Sequence, residues 1–364
     1  MNKNNQTPLH HAAFSGQTST VERLLTNGAL IESIDQDNNT PLHLAVWKSH
    51  TDVVKLLLAK GASVQASNTH INTPLHLAAW RGHTGMIGLL LENGASIEAT
   101  NQYRNTPLHL AVLQGHNGTV ELLLGKDASI QAIGENRNTP LHFAARGGCT
   151  GMVRLLLEKG ALIHATNTHD NTPLHLAALN GHTDVVELLL SKGGSIDARN
   201  RCFNTPLYLS TLKGYIGMVE LLLGERTAIR AIGANRNTPL HLAARNGFIG
   251  TVKLLLEKGA MMQAIDTYRN TALHVAALNG HTGVVELLLG RGAPVEGIGN
   301  FSNTPLHFAA WGGHNGVVEL LLRKGASPLA TSGHDNTPLH LAAMNGHTDI
   351  LQLLNNSVTK LSHT

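Results

Sequence analysis

An all-α solenoid of helix-turn-helix units with protruding hairpin-like loops is the fold class that this sequence predicts, and three observations carry it. The motif Asn-Thr-Pro-Leu-His, or a near relative, recurs with its threonine at 7, 40, 73, 106, 139, 172, 205, 238, 271, 304 and 337, a constant step of 33 residues. Eleven such units fill the 364 residues and leave no room for a second domain. Inside most units the punctuation repeats, with Thr-Pro opening one apolar run and glycine closing the runs. Aromatic residues make up only 4% of the chain, which suits a shallow core of Leu, Ala, Val and Ile in stacked repeats better than a deep globular one.

The elements of one unit follow in order from NTPLHLAALNGHTDVVELLLSKGGSIDARN, Asn171 to Asn200. Thr172 suits a helix N-cap, and Pro173 the first helical position, where a missing N–H costs nothing. Leu174, Leu176, Ala177 and Ala178 then predict a short, mostly buried helix that Gly181 terminates in a left-handed conformation. Thr183 is expected to cap a second helix bearing Val185, Val186, Leu188, Leu189 and Leu190, and Gly193 to stop it. The remaining residues form an extended turn back to the next Thr-Pro. Such a unit cannot bury its own apolar faces, so neighbours must cover them. At helix separations of about 8–10 Å, eleven units are expected to make a curved rod on the order of 100 Å long.

With the period of 33, the Thr-Pro-Leu-His-x-Ala signature and the Gly-His-x-x-Val-Val-x-Leu-Leu-Leu-x-x-Gly-Ala pattern, the chain resembles the ankyrin-repeat family over essentially its whole length. The resemblance implies a protein-interaction scaffold without catalysis. It also has departures. The position two before each threonine, usually glycine in that family, holds Asn38, Ile71, Arg104, Arg137, Asp170, Phe203, Arg236, Arg269, Ser302 and Asp335, so a different turn is expected. The residue just before the threonine is Asn in ten of eleven units, which predicts hydrogen bonds that lock neighbouring loops together.

One continuous array over 1–358 is expected, with a short tail at 359–364 and the first and last repeats as caps. His11 and Arg23, and Asn355 and Asn356, stand where inner repeats are apolar. The segment from Asn204 to Ile232 diverges most. Tyr208 replaces His, Ser210 replaces Ala and Arg226 replaces the terminating Gly, and sequence drift is the preferred reading. Segments 99 residues apart, such as those from Ala132 and Ala231, match closely enough to indicate duplication of a three-unit block.

Composition excludes several function classes. The net charge of +3 is too small to imply nucleic-acid binding by itself. Two cysteines, Cys149 and Cys202, do not make a disulfide framework and fit a reducing, cytoplasmic setting; delivery into a host cell is compatible with it. No apolar run reaches the ~20 residues that span a bilayer, and the polar start MNKNNQTPLH suits no signal peptide. Of 23 histidines, ten occupy the Thr-Pro-Leu-His position and seven the Gly-His position, where the resemblance implies bonds to local backbone. His70, His169 and His334 sit at separate loop tips, so no shared metal is expected. Cys149 takes a Gly-His position and is expected to pack. No phosphate-binding loop, dinucleotide fingerprint, metalloprotease or nucleophile-elbow motif stands in context, so neither an enzyme nor a cofactor is expected.

The resemblance implies binding through the loop tips, three and two residues before each threonine, and the helix positions seven and eight after it. Eight of the thirteen aromatic residues fall on these 44 positions, where chance would place fewer than two: Phe14, Trp47, Trp80, Tyr103, Phe203, Tyr268, Phe301 and Trp311. Arg81, Arg104, Arg137, Arg146, Arg236, Arg245 and Arg269 share them. With Lys48 and Lys213, against Asp37, Asp170 and Asp335, this surface carries +6 and the remainder −3. Exposed aromatics beside arginine are hot-spot material. The expected partner is another protein with an acidic or extended segment, bound by a monomer. Single-stranded nucleic acid in the same groove is the weaker alternative. So, as a biological setting, is a secreted effector of an intracellular microbe that binds a host protein.

Overall fold

Helix boundaries in the computed structural model follow the glycine and Thr-Pro punctuation. The structure describes residues 4–224 and 233–361. Among these are twenty-two α-helices in eleven pairs and no strand. The described residues group into two compact units, Met1–Ala177 with Asp184–Gly194, and Ala178–Thr183 with Ser195–Thr364. They are the first and the second unit of the chain. Arg226 lies outside the described residues.

The first helix of a pair, such as Pro41–Trp47 or Pro74–Arg81, begins at the proline. Thr40 precedes it in extended conformation, at φ −84° and ψ 165°, with its hydroxyl accepting the His43 amide. In return the Thr40 N–H donates to His43 Nδ1 at 3.1 Å. This reciprocal cap satisfies two otherwise orphaned amides and stabilises the helix start by about 1 kcal/mol. Where Ala272 replaces proline, the helix Ala272–Leu278 still begins at that position, because the threonine-histidine cap is intact. Helices of seven or eight residues are too short to persist alone, so packing must hold them.

Packing comes from one stripe per helix. In the second repeat Leu42, Ala45, Val46, Val53, Val54 and Leu57 are all at most 1% exposed. Each buried Leu or Val contributes roughly 1.5–3 kcal/mol, while alanine lets the paired helices approach closely. His11 and Arg23 in the first repeat, and Asn355 and Asn356 in the last, are exposed.

Three expectations are corrected. The second helices begin at the threonine itself, as in Thr183–Ser191. In Thr51–Ala59 the preceding His50 takes the cap position without a side-chain cap bond. The Gly-His histidine therefore ends one turn rather than the threonine capping the next helix. The loop turn also keeps its left-handed residue without glycine: φ is 57° at Asn38, 56° at Ile71, 62° at Arg104, 61° at Phe203 and 64° at Arg269. Lastly, the histidines do not bond only locally. Within the first unit, His43 Nε2–H donates to Asn72 O at 3.1 Å, His76 to Asn105 O and His109 to Asn138 O, each one repeat further on. Sequence spacing displays the local half of this bond set and hides the other half.

The conserved-spacing asparagines do lock loops together, by two chemistries. Asn68 Nδ2 donates to Asn39 Oδ1 at 3.0 Å, and Asn101 Nδ2 to Asn72 Oδ1 at 3.0 Å. Where the next loop has glycine instead, its backbone steps in: the Glu135 N–H donates to Asn105 Oδ1 at 3.0 Å. A Cβ on Gly134 would fall on that same Asn105 Oδ1, so the close approach requires glycine. In the divergent repeat the differences are absorbed. Tyr208 is buried, and the Ser210 and Thr211 hydroxyls both donate to Leu207 O at 2.9 and 2.8 Å.

Candidate functional site

The position seven after each threonine lies at the end of the first helix, and where the next repeat carries its Gly-His histidine, that ring holds the carbonyl. His83 Nε2–H donates to Trp47 O at 3.3 Å, and His116 Nε2–H to Trp80 O at 3.0 Å. Gly82, at φ 72°, then turns the chain left-handed, and a Cβ there would meet the His116 ring at 2.7 Å. Histidine and a left-handed residue, Gly82 after Trp80 and Ser49 at φ 60° after Trp47, together fix where each indole starts. In the second unit His347 Nε2–H holds Trp311 O in the same way, at 3.1 Å.

In the first unit these helix ends and the loop tips face each other across a groove of about 740 Å³. Phe14, Trp47, Trp80, Tyr103 and Arg146, all singled out from the sequence, line it together. Trp80 is 37% exposed, Phe14 42% and Tyr103 52%, and Trp47 is half-buried. Sequence reasoning missed the floor, made by Leu44, Leu77, Leu110 and Phe143, four residues after each threonine. The signal was present: a large apolar side chain recurs there beyond what the helix pair itself needs to bury. His43 and His76 also reach the groove, and burial holds both imidazoles down to about 4, so neither carries charge there near neutrality.

Cations stand over the aromatic rings. The Lys48 ammonium lies 4.5 Å from the Phe14 ring centre, the Arg81 guanidinium 4.8 Å from Trp47 and the Arg146 guanidinium 5.4 Å from Phe143. Each such pair contributes about 0.5–1 kcal/mol at an exposed site and holds a flexible charge in one place. The loop side carries the opposite sign, with Asp37 and Glu135 lining the groove. Arg104 and Arg137 do not line it; both occupy exposed left-handed tip positions. The basic bias read from sequence is thus a rim property, while the lining itself is mixed.

In the second unit Phe301 and Trp311, 61% and 47% exposed, line a smaller groove of about 410 Å³ with Leu278, Phe308, Leu341 and Met344. Phe203, Tyr268, Arg236, Arg245 and Arg269 are exposed too, but do not line it. Cys149 is half-buried and Cys202 exposed, both as free thiols. Among the described residues no group of three or more His, Cys, Asp or Glu side chains gathers as a metal site. None of the described helices is long and apolar enough to cross a membrane.

A family model described as "Ankyrin repeats (3 copies)" matches eight overlapping segments that together run from residue 1 to 362. No curated protein matches the chain.

Proposed function

Because this chain belongs to the ankyrin-repeat family, whose repeats are generally protein-interaction modules and typically non-catalytic, we propose that it is a scaffold or adaptor that captures a partner protein in the groove of its first unit. The observation that carries this reading is the set of exposed aromatic side chains around an apolar floor, in a chain that has few aromatics to spend. Large exposed rings beside stacked cations are costly to leave in water, and they are the side chains that dominate binding energy when covered. The partner contributes an extended segment with apolar anchors for the floor. Its acidic residues meet Lys48, Arg81 and Arg146, which are already held over rings and lose little freedom on pairing.

A nucleic acid suits the groove less well, because Asp37 and Glu135 would face its phosphates. The two free thiols fit residence in a reducing compartment. The test is capture from lysate by the wild-type chain beside a Trp47→Ala, Trp80→Ala double variant, with mass spectrometry of what is retained and circular dichroism of both chains. A protein held by the first and lost by an equally helical variant supports the proposal. Equal retention by both overturns it.

A further inference from the structure

The groove of the first unit holds open hydrogen-bond donors, while the side-chain oxygens of its asparagines are already in use. Asn39 Oδ1 accepts from Asn68, Asn72 Oδ1 from Asn101, and Asn105 Oδ1 from the Glu135 amide. Asn68 and Asn101 turn their oxygens to the amides of their own loops. The donors are what remains. Asn72 Nδ2, Asn105 Nδ2 and the indole N–H groups of Trp47 and Trp80 find no acceptor among the described residues. None is sealed off: Trp80 is 37% exposed, and the other three nitrogens keep solvent contact. The donors also recur with the repeat, Asn105 following Asn72 by 33 residues as Trp80 follows Trp47. Leu44, Leu77 and Leu110 on the floor keep the same interval. With packed helices about 8–10 Å apart, floor and donors both repeat at that step along the groove.

Building on the capture function above, we propose that the occupant is a proline-rich segment of the partner in the left-handed polyproline conformation, with an acidic residue at every third position. Proline has a carbonyl and no N–H, so such a backbone offers acceptors only and complements a lining with open donors. Three residues of a polyproline helix rise about 9.3 Å, so successive repeats meet the same edge of it. A β-strand turns alternate side chains to opposite faces, and its third residue would point away from the floor. An α-helix has its carbonyls engaged internally. The three edges of the polyproline helix also sort the charges. One edge rests on the leucine floor. A second faces the helix-side rim, where Lys48, Arg81 and Arg146 stand over rings and meet the acidic residues. The third passes the loop side, where Asp37 and Glu135 disfavour a further carboxylate. Phe14, Trp47, Trp80, Leu113 and Arg146 come from five successive repeats, a span that about twelve residues of this conformation fill.

The experiment titrates the full chain with a capped peptide of Pro-Pro-Glu repeats of that length, and with Pro-Pro-Lys and Ala-Ala-Glu counterparts. Calorimetry reads affinity, and nitrogen–proton shifts of the tryptophan indoles read position. The expected result is saturable binding of the Pro-Pro-Glu peptide, about tenfold tighter than either counterpart. It shifts the Trp47 and Trp80 indoles and leaves that of Trp311 in place. Trp47→Phe with Trp80→Phe keeps an aromatic ring at each position, removes both indole donors, and weakens this binding about tenfold at unchanged helicity. Equal binding of the Ala-Ala-Glu peptide overturns the polyproline conformation, and equal binding of the Pro-Pro-Lys peptide overturns the charge pairing. Undiminished affinity in the phenylalanine variant overturns the role of the donors. If no peptide binds while capture from lysate still depends on Trp47 and Trp80, the proline-rich occupant is wrong and the capture function stands. If the Pro-Pro-Glu peptide binds as expected while capture ignores both tryptophans, the occupant is upheld and the capture reading fails.

Discussion

Acidification should unfold this protein through its buried histidines well before carboxylates matter. His43, His76, His109 and His142 all lie in the first unit, are fully buried, and are pushed from 6.5 to about 4 chiefly by burial. Geometry says the same. Nδ1 already accepts the threonine N–H, at 3.2 Å for His109, and Nε2–H donates to the next repeat's asparagine carbonyl, at 3.1 Å. A second proton on the ring would point at an amide hydrogen and break the cap. Above pH 6.5 folded and unfolded chains both hold these rings neutral, and nothing is lost. Below it the unfolded chain takes up protons that the folded rings refuse, so stability drains until about pH 4. Near pH 5 the loss is about 2 kcal/mol per ring, or about 8 kcal/mol for the four together. That is as large as the whole stability of many domains.

Guanidinium denaturation followed by far-ultraviolet circular dichroism, near pH 7 and near pH 5, measures this loss directly. The midpoint should fall steeply, and a His109→Gln variant, destabilised at neutral pH, should lose about 2 kcal/mol less on acidification. Superimposable curves at the two pH values, or a loss that begins only below pH 4, would refute the assignment of neutral, doubly bonded rings.

Three further outcomes test the local physics by the same denaturation assay. Ile71→Gly should stabilise the fold by up to about 1 kcal/mol, since a β-branched residue at φ 56° costs more than the chain entropy that glycine adds; a clear loss would mean that this turn is not left-handed. Gly134→Ala should cost about 2–3 kcal/mol, because its Cβ displaces the amide-to-Asn105 bond and leaves a buried acceptor; a neutral result would sink the loop-lock account. Leu57→Ala, at a site 0% exposed, should cost about 2–5 kcal/mol without moving partner capture, and loss of capture at full helicity would tie the core to binding instead of the groove.

Much of this structure was legible because local and global signals agree. Threonine, proline and glycine sit at fixed offsets, so each first helix and its left-handed stop could be written down before any coordinate. What stayed hidden needed a second repeat in view. His43 reads as a local cap until Asn72 appears beside its other nitrogen. The left-handed tip at Ile71 was hidden because β-branched residues rarely adopt it, so side-chain identity argued against the turn that forms. In the site, the aromatic ends at Trp47 and Trp80 were visible as a positional bias. The floor at Leu44 and Leu77 was not, since a leucine there looks like core. Arg104 and Arg137 share the tips with Tyr103 in the sequence register, yet only the tyrosine turns into the groove.

The most direct measurement for the central claim is site-specific photo-crosslinking. A photoreactive phenylalanine derivative is placed at Tyr103, in the groove, or at Lys55, exposed on a second helix, and the partner retained in the capture experiment is irradiated with each. Capture in the first-unit groove predicts an adduct from position 103 that disappears with Trp47→Ala and Trp80→Ala, and none from position 55. An adduct from position 55 with none from 103 would place the partner on the helical flank and contradict the account.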